Sequence, residues 1–278
     1  MDARGQLCVG IDPHPALLAA WGLNDDAAAV ERFSLTVLDA VAQTAAAVKP
    51  QVALFERHGS AGFAALERVL AACADAGVLS IADAKRGDIG STMAAYADAW
   101  LRGGSALAAD SVTLSPYLGF ESLRPALDLA AANGRGVFVL GLTSNPEGAS
   151  VQHVGGAESV AARIVQATAA ENGRELVRNG QADAPAPAGF PGLGSTGLVI
   201  GATVGSALTD LGIDLAGAHA PILAPGLGAQ GATGADLRAT FGAAYPNVLA
   251  TSSRDILKAG PAVSGLRAAA ARTLESLG

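Results

Sequence analysis

The chain has 278 residues, of which 50% are hydrophobic and 15% charged, so it can build a large buried core and lacks the composition of a disordered protein. Its formal net charge of −7 argues against a nucleic-acid partner and against binding to an anionic membrane, because no general basic face is available. The two cysteines have neither metal-ligand spacing nor a disulfide framework, which favours a reducing, cytoplasmic environment.

Short apolar segments alternate with Ala/Leu-rich helical stretches along the whole chain. The predicted strands cover residues 7–11, 47–51, 78–82, 111–114, 137–140, 198–201, 222–224 and 248–251. The predicted helices cover residues 25–44, 62–76, 93–101, 121–132, 157–171, 206–211, 234–241 and 261–277. Eight strands, each followed by a helix, predict an α/β fold of the (β/α)₈ barrel type. The strands are apolar throughout, as expected for parallel strands that are buried on both faces.

A doubly wound open sheet is the alternative architecture. Polar or turn residues follow almost every predicted strand, and in a barrel all these strand ends converge on one face, where active sites are found. We therefore predict one barrel domain over residues 1–278, with residues 172–197 as a loop insertion after the fifth βα unit.

The most informative segment follows the third predicted strand and reads Asp83-Ala84-Lys85-Arg86-Gly87-Asp88-Ile89-Gly90-Ser91-Thr92. Side chains alternate between faces in an extended segment, so Asp83 and Lys85 should point the same way and form an ion pair. Removing such charges from water is costly, which favours a functional cluster. A purely structural salt bridge at the barrel end is the alternative.

The second strand brings Lys49 into an apolar segment, where a lysine is costly unless an anion meets it. Because strands two and three are neighbours in a barrel, Lys49, Asp83 and Lys85 should form an alternating line of cation, anion and cation. Asp12, after the first strand, either joins this face or serves as a turn residue before Pro13.

The last two strand ends suggest a phosphate site. A glycine-rich loop over residues 225–231 could direct backbone N–H groups at an anion, and Arg254 could bind the phosphate with two parallel hydrogen bonds. The segment Thr143-Ser144-Asn145-Pro146 could contact a heterocycle or could be a simple turn. The four histidines are scattered, so we predict no metal site and no catalytic histidine.

Together these residues resemble orotidine 5′-phosphate decarboxylases, and the form of the segment 83–92 resembles the longer-chain, type 2 branch of that family. The most specific element is Asp-x-Lys-x-x-Asp-Ile, supported by Val48-Lys49-Pro50, by Thr143 to Pro146, by the loop 225–231 and by Ser253-Arg254. The resemblance implies a (β/α)₈ barrel, usually a homodimer, that converts orotidine 5′-monophosphate to uridine 5′-monophosphate and carbon dioxide without metal or organic cofactor.

The same resemblance implies roles for individual residues. Lys49, Asp83 and Lys85 match three members of the family's catalytic charge network, and Asp88 matches the fourth, which reaches the neighbouring subunit's site. The implied substrate contacts are Asp12 for ribose, Ser144 for the pyrimidine amide, Gln230 and Arg254 for phosphate, and Ile89 and Thr92 beside Asp88.

Two other functions remain open at this stage. A phosphosugar enzyme of the same superfamily would use a similar Asp-x-Lys-x-x-Asp element around Mg²⁺, with a further carboxylate near the second strand, for which Glu56 is available. A catalytically silent protein that binds a phosphorylated ligand is the other possibility.

Overall fold

The fold is seen in a computed structural model that describes residues 1, 4–180, 192–229 and 231–278. Eight parallel strands form one closed barrel in which each strand pairs with the next along the chain and the eighth pairs with the first. The strands are β1 Leu7–Ile11, β2 Ala47–Pro50, β3 Leu79–Arg86, β4 Ser111–Leu114, β5 Gly136–Leu142, β6 Thr196–Ile200, β7 Ile222–Pro225 and β8 Val248–Ser252. The predicted (β/α)₈ barrel is confirmed, and the open doubly wound sheet is wrong.

Helices occupy the connections between strands. The α-helices are α1 Pro15–Ala20, α2 Ala27–Val41, α3 Val52–Glu56, α4 Gly59–Asp75, α5 Gly90–Leu101, α6 Arg124–Ala132, α7 Ala149–Gln152, α8 Val160–Arg178, α9 Ala207–Asp210, α10 Gly234–Phe241, α11 Arg254–Leu257 and α12 Val263–Glu275. Short 3₁₀ turns cover Phe120–Leu123, Pro146–Gly148, Gly156–Glu158, Ala216–Ala218 and Gly242–Asn247. No helix in the part of the chain that the structure describes is long and apolar enough to cross a membrane.

Each main helix shows why its segment is helical and where it packs. In α2, the Asp26 carboxylate accepts a hydrogen bond from the N–H of Ala29 at 2.8 Å and so caps the first turn. Phe33 and Val37 lie on one face of this helix and are fully buried in the layer between strands and helices. This face of α2 thereby covers part of the outer surface of the barrel.

Inside the barrel, an apolar layer lies below a polar one. The apolar layer is a separate cluster of buried side chains formed by Cys8, Ala46, Ala47, Ile81, Phe138, Val199, Leu223 and Leu249. Lys49 and Asp83 lie two residues further along their strands than Ala47 and Ile81, so they project into the same interior one layer nearer the C-terminal end. Alternation along the strands thus places the charges directly above an apolar floor.

Two sequence-based boundaries are corrected by the structure. The third strand does not end before the charged segment but continues to Arg86, which pairs with Leu114 of β4. The predicted insertion over residues 172–197 begins inside α8 and ends inside β6. Asn172 is fully buried and its amide donates to the Thr196 carbonyl oxygen at 2.9 Å, which ties α8 to the start of β6. Residues 181–191, the centre of that prediction, lie outside the described residues.

Candidate active site

The three central charges meet at the C-terminal end of the barrel in the predicted alternating order. The Lys49 Nζ lies 2.7 Å from Asp83 Oδ2, and the Lys85 Nζ lies 2.5 Å from Asp83 Oδ1. Lys49 and Asp83 are only 5% and 8% exposed, whereas the Lys85 side chain is about half exposed and can face a ligand. One carboxylate therefore holds two ammonium groups, one of which is accessible.

These contacts keep the buried groups charged. Burial alone would raise the pKa of Asp83, but the Lys49 and Lys85 ammonium groups outweigh it and lower that pKa from 3.8 to about 2. Burial alone would lower the pKa of Lys49, but the Asp83 and Asp12 carboxylates outweigh it and hold that pKa above its usual range. Lys49 and Asp83 therefore both stay charged throughout the neutral pH range.

Cys8 lies in the apolar floor and behaves differently. Burial raises the pKa of its thiol to about 12, although Lys49 acts in the opposite direction. The thiol stays protonated and packs as a small apolar group, as the sequence indicates.

A cavity of about 190 Å³ opens above this cluster. Its walls come from the ends of strands β1, β2, β3, β7 and β8, which explains why residues far apart in sequence share it. The lining residues are Asp12, His14, Lys49, Gln51, Asp83, Pro225, Gly226, Leu227, Ala229, Thr251, Ser253 and Arg254. Two of the predicted ligand contacts, Asp12 and Arg254, thus lie around the same space as Lys49 and Asp83.

Asp12 is held by a neighbour from the opposite end of the chain. Its Oδ2 accepts a hydrogen bond from the Ser253 hydroxyl, whereas its Oδ1 is buried without a hydrogen-bond partner among the described residues. Gly10 makes this approach possible, because a Cβ there would lie 2.8 Å from the Ser253 Cβ. The second carboxylate oxygen is available to a ligand hydroxyl.

The glycine-rich loop after β7 and Arg254 after β8 also line the cavity. Gly226 and Gly228 have φ values of 122° and 79°, which favour glycine because a side chain would be strained there. Arg254 is the first residue of α11, is exposed, and lies within ion-pair distance of no carboxylate among the described residues. Gln230, predicted beside it at the phosphate, lies outside the described residues.

Five predicted site residues do not line the cavity. Lys85 is one of them, although its ammonium contacts Asp83 in the cavity wall. The other four are Asp88, Ile89, Thr92 and Ser144. Asp88 follows β3, and its Oδ1 accepts a hydrogen bond from the Ile89 N–H at 2.7 Å, but within the described chain it pairs with neither lysine. Ile89 and Thr92 are exposed at the start of α5, and Ser144 is exposed after β5. All four lie at the C-terminal end of the barrel, outside the cavity of this single chain.

Several residues of the site were not predicted from the sequence. The Gln51 Oε1 accepts a hydrogen bond from Lys49 Nζ at 3.4 Å, and the Thr113 hydroxyl donates to Asp83 Oδ1 at 3.0 Å. Gln51 could have been found as the next inward position after Lys49, and Thr113 as the polar residue between two apolar ones in a short strand. His14, predicted to be a loop or surface residue with no catalytic role, lies in the cavity wall.

A larger cavity of about 590 Å³ lies at the other end of the barrel, but its two carboxylates are engaged in hydrogen bonds within the chain. Asp110 accepts hydrogen bonds from the N–H and the hydroxyl of Ser80, and Glu175 accepts hydrogen bonds from Ser195. The rest of its lining is mostly apolar. The smaller cavity, which is lined by Lys49 and Asp83 of the charge line, is therefore the candidate active site.

Glu56, the carboxylate that a magnesium site would require, is engaged elsewhere. It forms an ion pair with Arg86 at 2.8 Å. Within the described ranges, no group of three or more His, Cys, Asp or Glu side chains is placed to hold a metal ion.

Comparison with known proteins gives a consistent result. A sequence model described as the orotidine 5′-phosphate decarboxylase / HUMPS family matches residues 5–269. Orotidine 5′-phosphate decarboxylase from Streptomyces coelicolor is 54% identical over 275 residues, covering 98% of this chain and 92% of that protein. A solved structure from Streptomyces avermitilis, provisionally assigned the same activity, is 53% identical with a TM-score of 0.89 and covers 100% of this chain and 91% of that one. The Leishmania donovani OMP decarboxylase structure is 31% identical with a TM-score of 0.74 and covers 99% of this chain and 93% of that one.

Proposed function

The chain belongs to the orotidine 5′-phosphate decarboxylase / HUMPS family, and from this premise we propose that it converts orotidine 5′-monophosphate to uridine 5′-monophosphate and carbon dioxide, the last step of UMP synthesis. It is then a carboxy-lyase. The observation that carries the proposal is the alternating Lys49–Asp83–Lys85 line, of which Lys49 and Asp83 line the cavity. The cytoplasm is the proposed compartment, since both cysteines are free.

The chemistry explains why such a line is needed. Heterolysis of the bond between C6 and the carboxylate releases CO₂ and leaves an electron pair in an orbital orthogonal to the π system. The ring offers no ready electron sink, so the enzyme must stabilise this charge electrostatically. An ammonium group held beside the reacting carbon meets that requirement.

Lys85 is the proposed stabilising group and proton donor. Its accessible ammonium lies against C6, stabilises the developing carbanion and donates the proton that forms the new C6–H bond. Asp83 forms an ion pair with Lys85 and faces the departing carboxylate, and Lys49 fixes Asp83 from the other side. The neutral Lys85 amine then recovers a proton from solvent.

Remote parts of the substrate supply the binding energy that orders this array. Arg254 and Gln230 are the proposed phosphate contacts. Arg254 lines the cavity together with the glycine-rich loop and has no acidic partner among the described residues, and Gln230 is assigned from the family resemblance. Asp12 would accept a ribose hydroxyl through its unpartnered Oδ1. Ser144 is the proposed contact for the pyrimidine amide.

Asp88 is proposed to act in the site of a second subunit. In the described chain it contacts neither lysine, and large apolar side chains are exposed close to it. Ile89 is 61% exposed, and Tyr117 and Leu118, which follow the neighbouring strand β4, are 81% and 54% exposed. A homodimer that covers this surface would bring Asp88, Ile89 and Thr92 to the partner's substrate.

The test is a direct ultraviolet assay for loss of orotidylate absorbance, run before and after exhaustive chelation. Turnover that survives chelation supports the proposal, whereas turnover that requires Mg²⁺ would favour enediolate chemistry on a phosphosugar. Binding of uridine 5′-monophosphate without any turnover would identify a silent ligand-binding protein. Arg102→Ala, at the far end of α5 from the site, is the matched surface control and should leave turnover unchanged.

A further inference from the structure

Thr113 lies at the junction of the two groups that the proposed chemistry needs. It is 1% exposed on β4, and its hydroxyl makes two hydrogen bonds. The hydroxyl oxygen accepts from the backbone N–H of Lys85 at 2.9 Å, and the hydroxyl hydrogen points to Asp83 Oδ1 at 3.0 Å. The same Asp83 oxygen receives the Lys85 ammonium at 2.5 Å. Thr113 therefore joins the main chain of the lysine to the carboxylate that holds its side chain.

The backbone at Lys85 requires such a partner. Its φ of 49° lies in the left-handed region, which strains a residue other than glycine and persists only where the surroundings enforce it. The pairing between β3 and β4 shifts here, since Ala82 pairs with Val112 but Arg86 pairs with Leu114. On the β4 side, Thr113 is thus the single residue opposite residues 83–85. Irregular pairing of this kind is common next to active sites, where it redirects a side chain.

The Thr113 hydroxyl compensates for this irregular pairing through two contacts. It takes the Lys85 N–H, which the shifted ladder leaves without a regular strand partner, and it restrains the carboxylate that faces the lysine ammonium. Since the Lys85 side chain is about half exposed, little packing holds it in place. The position of its ammonium therefore depends on the bend at its own backbone and on Asp83.

We propose that Thr113 is a positioning residue for the decarboxylation proposed above, and that its hydroxyl sets where the Lys85 ammonium stands relative to the reacting carbon. The inference rests on that proposed function. Thr113 is not proposed to touch the substrate. Its loss should lower the rate of the chemical step and leave substrate capture, which depends on Arg254 and the glycine-rich loop, almost unchanged.

The experiment compares Thr113→Val, which keeps the shape but removes the hydroxyl, with Thr113→Ser, which keeps the hydroxyl. Thr113→Val should lower kcat roughly 10- to 100-fold, with KM and the Kd for uridine 5′-monophosphate within about threefold of wild type. Thr113→Ser should stay within about fivefold of wild-type kcat, because the hydrogen-bonding group is retained. Thr113→Ala is measured in parallel with the same expected loss as valine, so that poor folding of one variant does not decide the outcome.

Thr168→Val is the matched control. Thr168 is fully buried in α8, and its hydroxyl has no hydrogen-bond partner among the described residues. This variant should keep wild-type kcat, which separates loss of the Thr113 hydroxyl from loss of any buried hydroxyl.

The outcomes separate this inference from the proposed function. Wild-type protein that does not decarboxylate orotidine 5′-monophosphate would overturn the proposed function and the role of Thr113 with it. Active wild type with a Thr113→Val kcat within about twofold would overturn the role of Thr113 alone. A parallel fall in kcat, product binding and Tm that serine does not rescue would show a merely structural residue and also overturn it.

Discussion

Replacing Asp83 with asparagine would leave the Lys49 ammonium without the carboxylate that it contacts at 2.7 Å in a nearly water-free environment. In the wild type, the pKa of Lys49 is raised above 10.5 and that of Asp83 is lowered to about 2, so neither group titrates near neutral pH. In the variant, burial acts on Lys49 with only the smaller effects of Asp12 and Cys8 to oppose it, so its pKa should fall below the unfolded value.

The expected magnitude follows from the burial of the pair. Breaking a buried ion pair by removing one partner costs about 3–5 kcal/mol, which for a chain of this size lowers Tm by roughly 6 °C or more at pH 7. A lysine with a depressed folded-state pKa holds fewer protons in the folded state than in the unfolded state. The stability of the variant should therefore rise with pH by up to about 1.4 kcal/mol per pH unit, while this pair adds no slope to the wild type.

The assay is urea unfolding of the wild type and of Asp83→Asn at pH 7, 8 and 9, with the difference in free energy of unfolding compared across pH. The difference should shrink as pH rises. Asp98→Asn is the control, since Asp98 pairs with Arg102 at 2.5 Å on the exposed face of α5, and its difference from wild type should be small at every pH. A constant or growing difference for Asp83→Asn would show that Lys49 does not depend on Asp83 for its charge.

Four further outcomes are expected. Lys85→Ala should lower kcat by about 10⁴-fold or more with the fold retained, as judged by circular dichroism, and near-normal kcat would remove Lys85 as proton donor. Arg254→Ala should lower kcat/KM about 10- to 100-fold, mainly through KM, because a charged hydrogen bond to phosphate is lost; an unchanged KM would argue against this contact. Mixing inactive Lys85→Ala and Asp88→Ala proteins should restore up to about a quarter of wild-type activity through hybrid dimers, and no recovery would argue against a shared site. Since the lowered pKa of Asp83 adds stability above its unfolded value of 3.8, that contribution should disappear in acid unfolding only as pH falls from there toward about 2, and Asp83→Asn should lack it.

The ion pair between Asp83 and Lys85 could be predicted from the sequence, but alternation along an extended strand explains only part of its geometry. Alternation along a strand predicts that Asp83 and Lys85 meet, and they do. The structure adds that Lys85 is not extended, since its φ is 49°, and that the strand continues through the pair instead of ending before it. The pairing between β3 and β4 shifts at this point. No pattern in the local sequence indicates such a shift.

The sequence alone determined the eight strands, the helices between them and the charge line, because each depends on patterns within a few consecutive residues: apolar runs, strand-end polar groups and a lysine placed among apolar neighbours. Only the tertiary structure decided that Thr113 bonds to Asp83, that Ser253 bonds to Asp12 and that Asp88 stands away from its own chain's lysines. Two of these facts are contacts between segments 30 and 241 residues apart, and the third is a separation between groups that are close in sequence. All three depend on the register and closure of the barrel, which are set by packing across the whole sheet and not by any one segment.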